Sequence, residues 1–357
     1  MSKVYFVAAK DKNDTKENLK KLAYLIKESN LLNIVNKDEL VALKVHFGED
    51  KNKGYVNSEY LGLIADEVRK RKAKPFLTDT NTLYKGRRTN AIDHLEIALE
   101  HGFTFEQAKA PIFIADGFMG EDYEEVEINK KFIKTAFIAK GIRKADCMVV
   151  VSHFKGHIMT GFGGALKNLG MGCAARVGKL RQHADIAPFV IIEKCRGCGK
   201  CVVSCPVAAI EMINNKASID NKKCIGCATC IAVCPVSAID VNYESGADLI
   251  QEKMIEYAYA VLKGKEKKCA FINFAMKITQ ECDCLAEDDP EICPDIGIFA
   301  SLDPVSIDKA SVDMINKVSG KDVFRQVHPK RDWSIQLKYA EGLGIGNLDY
   351  QLVEYKI

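Results

Sequence analysis

No window of this 357-residue chain approaches the roughly 18 consecutive apolar residues that a membrane span requires. The opening "MSKVYFVAAK" enters an apolar stretch without the cationic segment, long hydrophobic core and cleavage site of an export signal. The expected location is therefore the cytoplasm, with no membrane partner. Net charge is also nearly absent: 51 Lys and Arg against 48 Asp and Glu leave +3. That balance argues against nucleic acid or an anionic surface as a partner. The basic run "VRKRKAK" from Val68 reads as the exposed end of a helix. No Gly-Lys-Ser/Thr phosphate loop occurs, and Leu166 stands where a dinucleotide fingerprint needs its last glycine. No flavin, nicotinamide or pyridoxal motif is visible.

What is abundant is cysteine, 14 residues. In a chain this long with no secretory signal, clustered cysteines favour metal over disulfides. Eight of them form a repeat with a 29-residue offset, "CRGCGKCVVSCPVAAIEM" from Cys195 and "CIGCATCIAVCPVSAIDV" from Cys224. Each half is C-x2-C-x2-C-x3-C-P, the bacterial ferredoxin run for [4Fe–4S] clusters. Three closely spaced thiolates wrap one face of a cube, and the fourth cysteine of each run ligates the other cluster. The expected ligand sets are Cys195, Cys198, Cys201 and Cys234 for one cluster, and Cys224, Cys227, Cys230 and Cys205 for the other. Two such clusters form a one-electron relay and imply a redox partner protein.

On either side, apolar runs alternate with amphipathic segments. "VYFVAA" (4–9), "LVALKVH" (40–46), "PFLTDT" (75–80), "CMVVVSH" (147–153), "CAFINFA" (269–275) and "IGIFAS" (296–301) read as strands. Helices are expected over 15–30, over 57–72 with Asn57 as cap, over 89–102 ending at Gly102, over 247–263, and after Asp303-Pro304. The fold class expected is α/β: a mostly parallel sheet with helices on both faces, interrupted by a small α+β ferredoxin-like insert. The expected boundaries are 1–188, 189–243 and 244–357.

Ligands in an open α/β sheet bind outside the carboxyl ends of its strands. Lys44, His46, Asp79, Asn81, His153, Lys155 and His157 fall there in the sequence. The turn "GFGGALKN" adds Gly163, Gly164, Lys167 and Asn168, and a Gly-rich turn opening a helix can present N–H groups to an anion. The candidate substrate residues are Lys44, His46, Asn81, His153, Lys155, His157, Gly163, Gly164 and Lys167, with a small anion as substrate. His153 and His157 also have metal-ligand spacing, although Gly156 lies between them.

The chain resembles the DUF362 family, a group of uncharacterised iron–sulfur proteins of anaerobic bacteria and archaea. The resemblance rests on "GFGGALKNLGMGC", "GKLRQHA", the double cysteine run, "CDC" (282–284) and "DIGIFASLDPVSIDKAS". It implies a large α/β domain containing a ferredoxin module and no settled reaction.

Six cysteines remain. Cys147 and Cys269 sit in apolar strands and read as inert buried thiols. For "ECDCLAEDDPEIC" three readings stay open. One is a third metal site, zinc or iron–sulfur, from Cys173, Cys282 and Cys284 with His183 or Cys293. Another is a redox-active thiol or a Cys284–Cys293 disulfide, and the last is ordinary cysteines. Functionally, the expectation is an iron–sulfur redox protein relaying electrons to a substrate or metal site in the α/β domain, a candidate ferredoxin-linked oxidoreductase. The alternatives are a non-enzymatic electron carrier or adaptor, and a redox-sensing ligand- or metal-delivery protein.

Overall fold

The computed structural model describes residues 1–9, 11–183, 188–241 and 247–357. Eight strands form one sheet: β1 (Ser2–Ala8), β2 (Leu40–Lys44), β3 (Lys74–Asp79), β4 (Ile112–Ile114), β5 (Cys147–His153), β6 (Cys269–Ala275), β7 (Gly297–Ser301) and β8 (Tyr350–Tyr355). Their order is β8-β1-β7-β6-β5-β2-β3-β4. Only β7 runs antiparallel, pairing that way with both β1 and β6. The fold is α/β with a mostly parallel sheet. The sequence reading missed the edge strands β4, only three residues long, and β8, whose apolar residues are interrupted by Gln351 and Glu354.

Central strands are apolar on both faces because both faces are covered. Along β5, Met148 and Val150 enter one core, while Cys147, Val149 and Val151 enter the other. The first core receives helices Ala165–Gly170, Ala247–Leu262 and Pro304–Ser319; the second receives Thr15–Glu28 and Ser58–Lys70. Each fully buried valine in these strands contributes about 1.5–3 kcal/mol. Caps set the helix starts: Asn57 accepts from Glu59 N–H, and Asp303 accepts from the N–H groups of Val305 and Ser306.

From β2 the chain proceeds outward to β3 and β4, then returns to the other side of β2 as β5. The β2–β5 junction is therefore a topological switch point, where a crevice opens beyond the strand ends. Residues 189–241 contribute no strand to this sheet. They form two small antiparallel two-stranded sheets, Phe189–Val190 with Ile239–Asp240 and the hairpin Ile210–Ile213 with Lys216–Ile219, and two short helices. The expected 243/244 boundary, and Ala184 at the end of "GKLRQHA", lie outside the described residues.

The helix after the Gly-rich turn departs from expectation in one respect. The N–H groups of Ala165 and Leu166, expected to face a bound anion, donate to the buried carboxylate of Asp308 at 2.8 and 2.9 Å. Asn273 Nδ2 donates to the same group at 2.7 Å. The anion at this helix start is thus the protein's own, carried in by the helix that follows β7. Asp308→Ala would strand two buried N–H groups and should cost about 2–5 kcal/mol, read from the shift in the urea-unfolding midpoint.

Candidate functional site

At the switch point lies a cavity of about 340 Å³, within the range of small-molecule pockets. Lys44, His46, His153, Lys155, His157, Gly163, Gly164, Lys167, His183, Cys282 and Cys284 all line it. Asn81 does not. It is fully buried, and its Nδ2 donates to Asp116 Oδ1 and to the Gly117 carbonyl, at 2.9 and 2.8 Å. With both N–H groups committed, Asn81 ties together the loops beneath the site.

Two of the expected anion-binding lysines are already neutralised. Lys44 pairs with Asp79 at 2.8 Å and donates to Asn168 Oδ1 at 2.7 Å. Burial alone would raise the Asp79 carboxyl, but Lys44 and His94 overcome this and hold it well below the usual range. Lys155 pairs with Asp283 at 2.7 Å and also donates to the His153 carbonyl. His46 is no cation either, since burial, then the nearby Arg88, keeps its ring neutral well below the usual histidine range. Lys167 is different. No ion-pair partner faces it among the described residues, and burial, with Lys155 nearby, lowers its ammonium to about 7.

The His153/His157 metal pair does not form. Nδ1 of His153 faces the Asp283 carboxylate at 3.0 Å, and Nε2 faces the carbonyls of Met276 and Lys277 at 3.0 Å each. Both nitrogens meet only acceptors, so neither offers a lone pair. Asp283, the middle residue of "CDC", was not foreseen. Burial would raise its carboxyl, but His153 and Lys155 bring it well below the usual range. The clue available in the sequence was an acid between two cysteines, facing a strand end rich in bases.

His157 instead meets the cysteine pair. Its hairpin, Lys155–His157 with Gly161–Gly163, lies against the loop that carries Cys282. Gly156 permits this approach, because a Cβ there would overlap the Gln280 carbonyl oxygen, while its own N–H donates to Thr279 O at 2.9 Å. Ligand atoms of His157, Cys282 and Cys284 lie within 4.8 Å of one another, the group among the described residues with spacing to hold a metal. Cys173 and Cys293 do not belong to it. Both are buried in the apolar core beneath, where burial pushes each thiol up to about 12. Of the open readings, the Cys284–Cys293 disulfide does not form: Cys284 is bonded to Cys282 instead, their Cα atoms 5.3 Å apart. His183 lines the cavity outside this group, and burial lowers its ring to about 4.

In the 189–241 segment, Cys195, Cys198, Cys201 and Cys234 surround one small cavity, so the fourth cysteine of the second run joins the first three of the first. The repeat is kept in its contacts: Ala209 N–H points at Cys205 Sγ (3.2 Å) and Ala238 N–H at Cys234 Sγ (3.1 Å). Cys230 is raised to about 12 by burial and then by its neighbours Cys227 and Cys224. Leu83 belongs to the apolar core of this segment and Tyr84 packs against it, yet both also line the large cavity. Lys85 Nζ donates to the Pro235 carbonyl at 2.6 Å beside them.

Lys167 is charged below about 7 and neutral above it. A small dianion such as oxalate should therefore bind the cavity more tightly at pH 6 than at pH 8, with the loss falling as pH rises through about 7. Calorimetric titration across this range should show the dependence, and Lys167→Met should flatten it.

Among the described residues, no helix is long and apolar enough to cross a membrane. No curated protein matches the chain. Among solved structures it is similar to the lactate racemase apoprotein from Thermoanaerobacterium thermosaccharolyticum, with 13% identity and a TM-score of 0.38, over 76% of this chain and 50% of that one. It is also similar to a protein from Thermotoga maritima, with 12% identity and a TM-score of 0.40, over 92% of this chain and 59% of that one. The chain thus spans about half to three-fifths of the length of these structures. A family described as a domain of unknown function, DUF362, matches residues 41–313. The chain belongs to the DUF362 family.

Proposed function

We propose that this chain is an iron–sulfur redox protein. Two [4Fe–4S] clusters in the 189–241 segment would receive single electrons from a partner protein and pass them to the cavity at the sheet's switch point. The observation that carries this reading is the double role of Leu83 and Tyr84, which pack into the cysteine-rich segment and line the cavity. A module without a connection to the cavity would give no reason for that shared wall.

The residues present suit the clusters. Four cysteines from both runs converge on one small cavity, as the crossed ligation of a two-cluster ferredoxin requires. Backbone N–H groups reach the sulfurs: Ala217 and Gly197 lower the Cys195 thiol, and Ala209 and Ala238 approach Cys205 and Cys234. Such contacts favour thiolate over thiol. When bound, [4Fe–4S] clusters accept and release one electron at a time.

In the cavity, Lys167 supplies the charge that orients a small anion, while Val151, Ile250 and Met254 supply apolar wall. The paired Lys44–Asp79 and Lys155–Asp283 hold the floor in one arrangement and leave Lys167 as the anion's partner.

Anaerobically purified protein should contain about eight irons per chain, four for each cluster. Cys198→Ser and Cys227→Ser should each lose iron, while Cys282→Ser/Cys284→Ser should keep the wild-type count. Iron analysis with electron paramagnetic resonance of the reduced protein checks this, and an iron-free wild type would sink the reading.

A further inference from the structure

We propose that Cys282 and Cys284 are a redox-active disulfide–dithiol pair facing the cavity, where electrons delivered singly are collected as a pair. The inference rests on the relay reading for its electron source.

Three features favour this over a third metal. First, the two sulfurs are bonded to each other, and a disulfide sulfur has no thiolate to offer a metal. Second, the other sulfurs that could complete a closed site, Cys173 and Cys293, lie in the apolar core outside the group formed by His157, Cys282 and Cys284. Third, the hydrogen bonds of His157 select the wrong tautomer for ligation through its open nitrogen. Nδ1 faces the N–H groups of Met159 and Thr160 at 3.3 and 3.1 Å, and the Thr160 hydroxyl at 2.9 Å. The two backbone donors cannot turn away, so Nδ1 uses its lone pair on them and the ring proton sits on Nε2. The Thr160 hydroxyl also reaches the Phe162 carbonyl at 2.7 Å, so it is free to serve either neighbour. A metal on Nε2 would require that proton to move to Nδ1, against both amides. An Nε2–H is instead a donor suited to a thiolate.

The loop is built to hold both oxidation states. Between the cysteines, Asp283 is fixed by His153 and Lys155, and its carbonyl accepts from Glu49 N–H at 3.1 Å. Leu285 N–H closes a turn onto the Cys282 carbonyl at 3.0 Å. Opening the S–S bond leaves these contacts intact, so the sulfurs stay side by side for reclosure. Cys284 is half-buried and lines the cavity, within reach of a bound molecule. In the step itself the S–S bond breaks as each sulfur gains one electron from the iron–sulfur clusters and one proton from solvent. The product is two thiols, one of which can ionise against the His157 donor.

The test reduces the full-length holoprotein with photoreduced methyl viologen, a one-electron donor, and quenches it with iodoacetamide. Mass spectrometry then reads the peptide carrying residues 281–293, and metal content is measured on the same sample. The expected result is no label on Cys282 and Cys284 as isolated and label on both after reduction, with opening slowed in Cys198→Ser. Clusters seen reduced by electron paramagnetic resonance beside a pair that stays closed would overturn this inference and leave the relay reading standing. One non-cluster metal per chain, with both cysteines protected from label, would overturn it in favour of a chelate. Opening at an equal rate in wild type and Cys198→Ser would sever the pair from the clusters and overturn the proposed electron source.

Discussion

The buried carboxylate of Asp283 is the interaction on which the site depends. Two bases at the end of β5, His153 and Lys155, converge on it, and all three side chains are almost completely removed from water. Breaking such a buried pair by losing one partner costs several kcal/mol, because the remaining charge is left uncompensated. Asp283 is therefore held to the strand end, and the cysteines on either side of it are held with it. Their position at the cavity wall follows from an ion pair made by the residue between them.

The same logic runs through the rest of the crevice. Lys44 is neutralised by Asp79, Arg88 by Glu49 at 3.1 Å, and the helix start at Ala165 by Asp308. Charges that look available in the sequence are largely spent on each other. Pairing of this kind gives the floor one rigid arrangement, since each member has a defined partner at a defined distance. Lys167, by contrast, has no ion-pair partner among the described residues.

The cysteine-rich segment meets this crevice through apolar contacts and the Lys85–Pro235 hydrogen bond. Leu83 and Tyr84 leave the β3 end and enter its core, and Leu180 from the helix Arg176–His183 joins them. The segment thus packs against the loops that build the cavity at the strand ends.

Local chemistry was legible in the sequence wherever a few neighbouring residues settle it. The central strands, the caps at Asn57 and Asp303, and the placing of Lys44, His46, His153, Lys155 and Lys167 around the crevice follow from periodicity and from strand ends, both short-range properties. The edge strands β4 and β8 were not legible, because β4 is only three residues long and the half-exposed β8 mixes polar with apolar residues. Nor was the state of the site residues. Whether Lys44 is free, whether Asn81 faces the cavity, and whether Cys284 pairs with Cys282 or Cys293 depend on groups dozens to hundreds of positions away. Asp283 lies 130 residues from His153, and Asp308 lies 143 from Ala165. The sequence by itself determined which residues reach the strand ends, since alternation and turns are written locally. Only the tertiary structure decided which of their charges and sulfurs remain open, because that depends on partners that burial brings together.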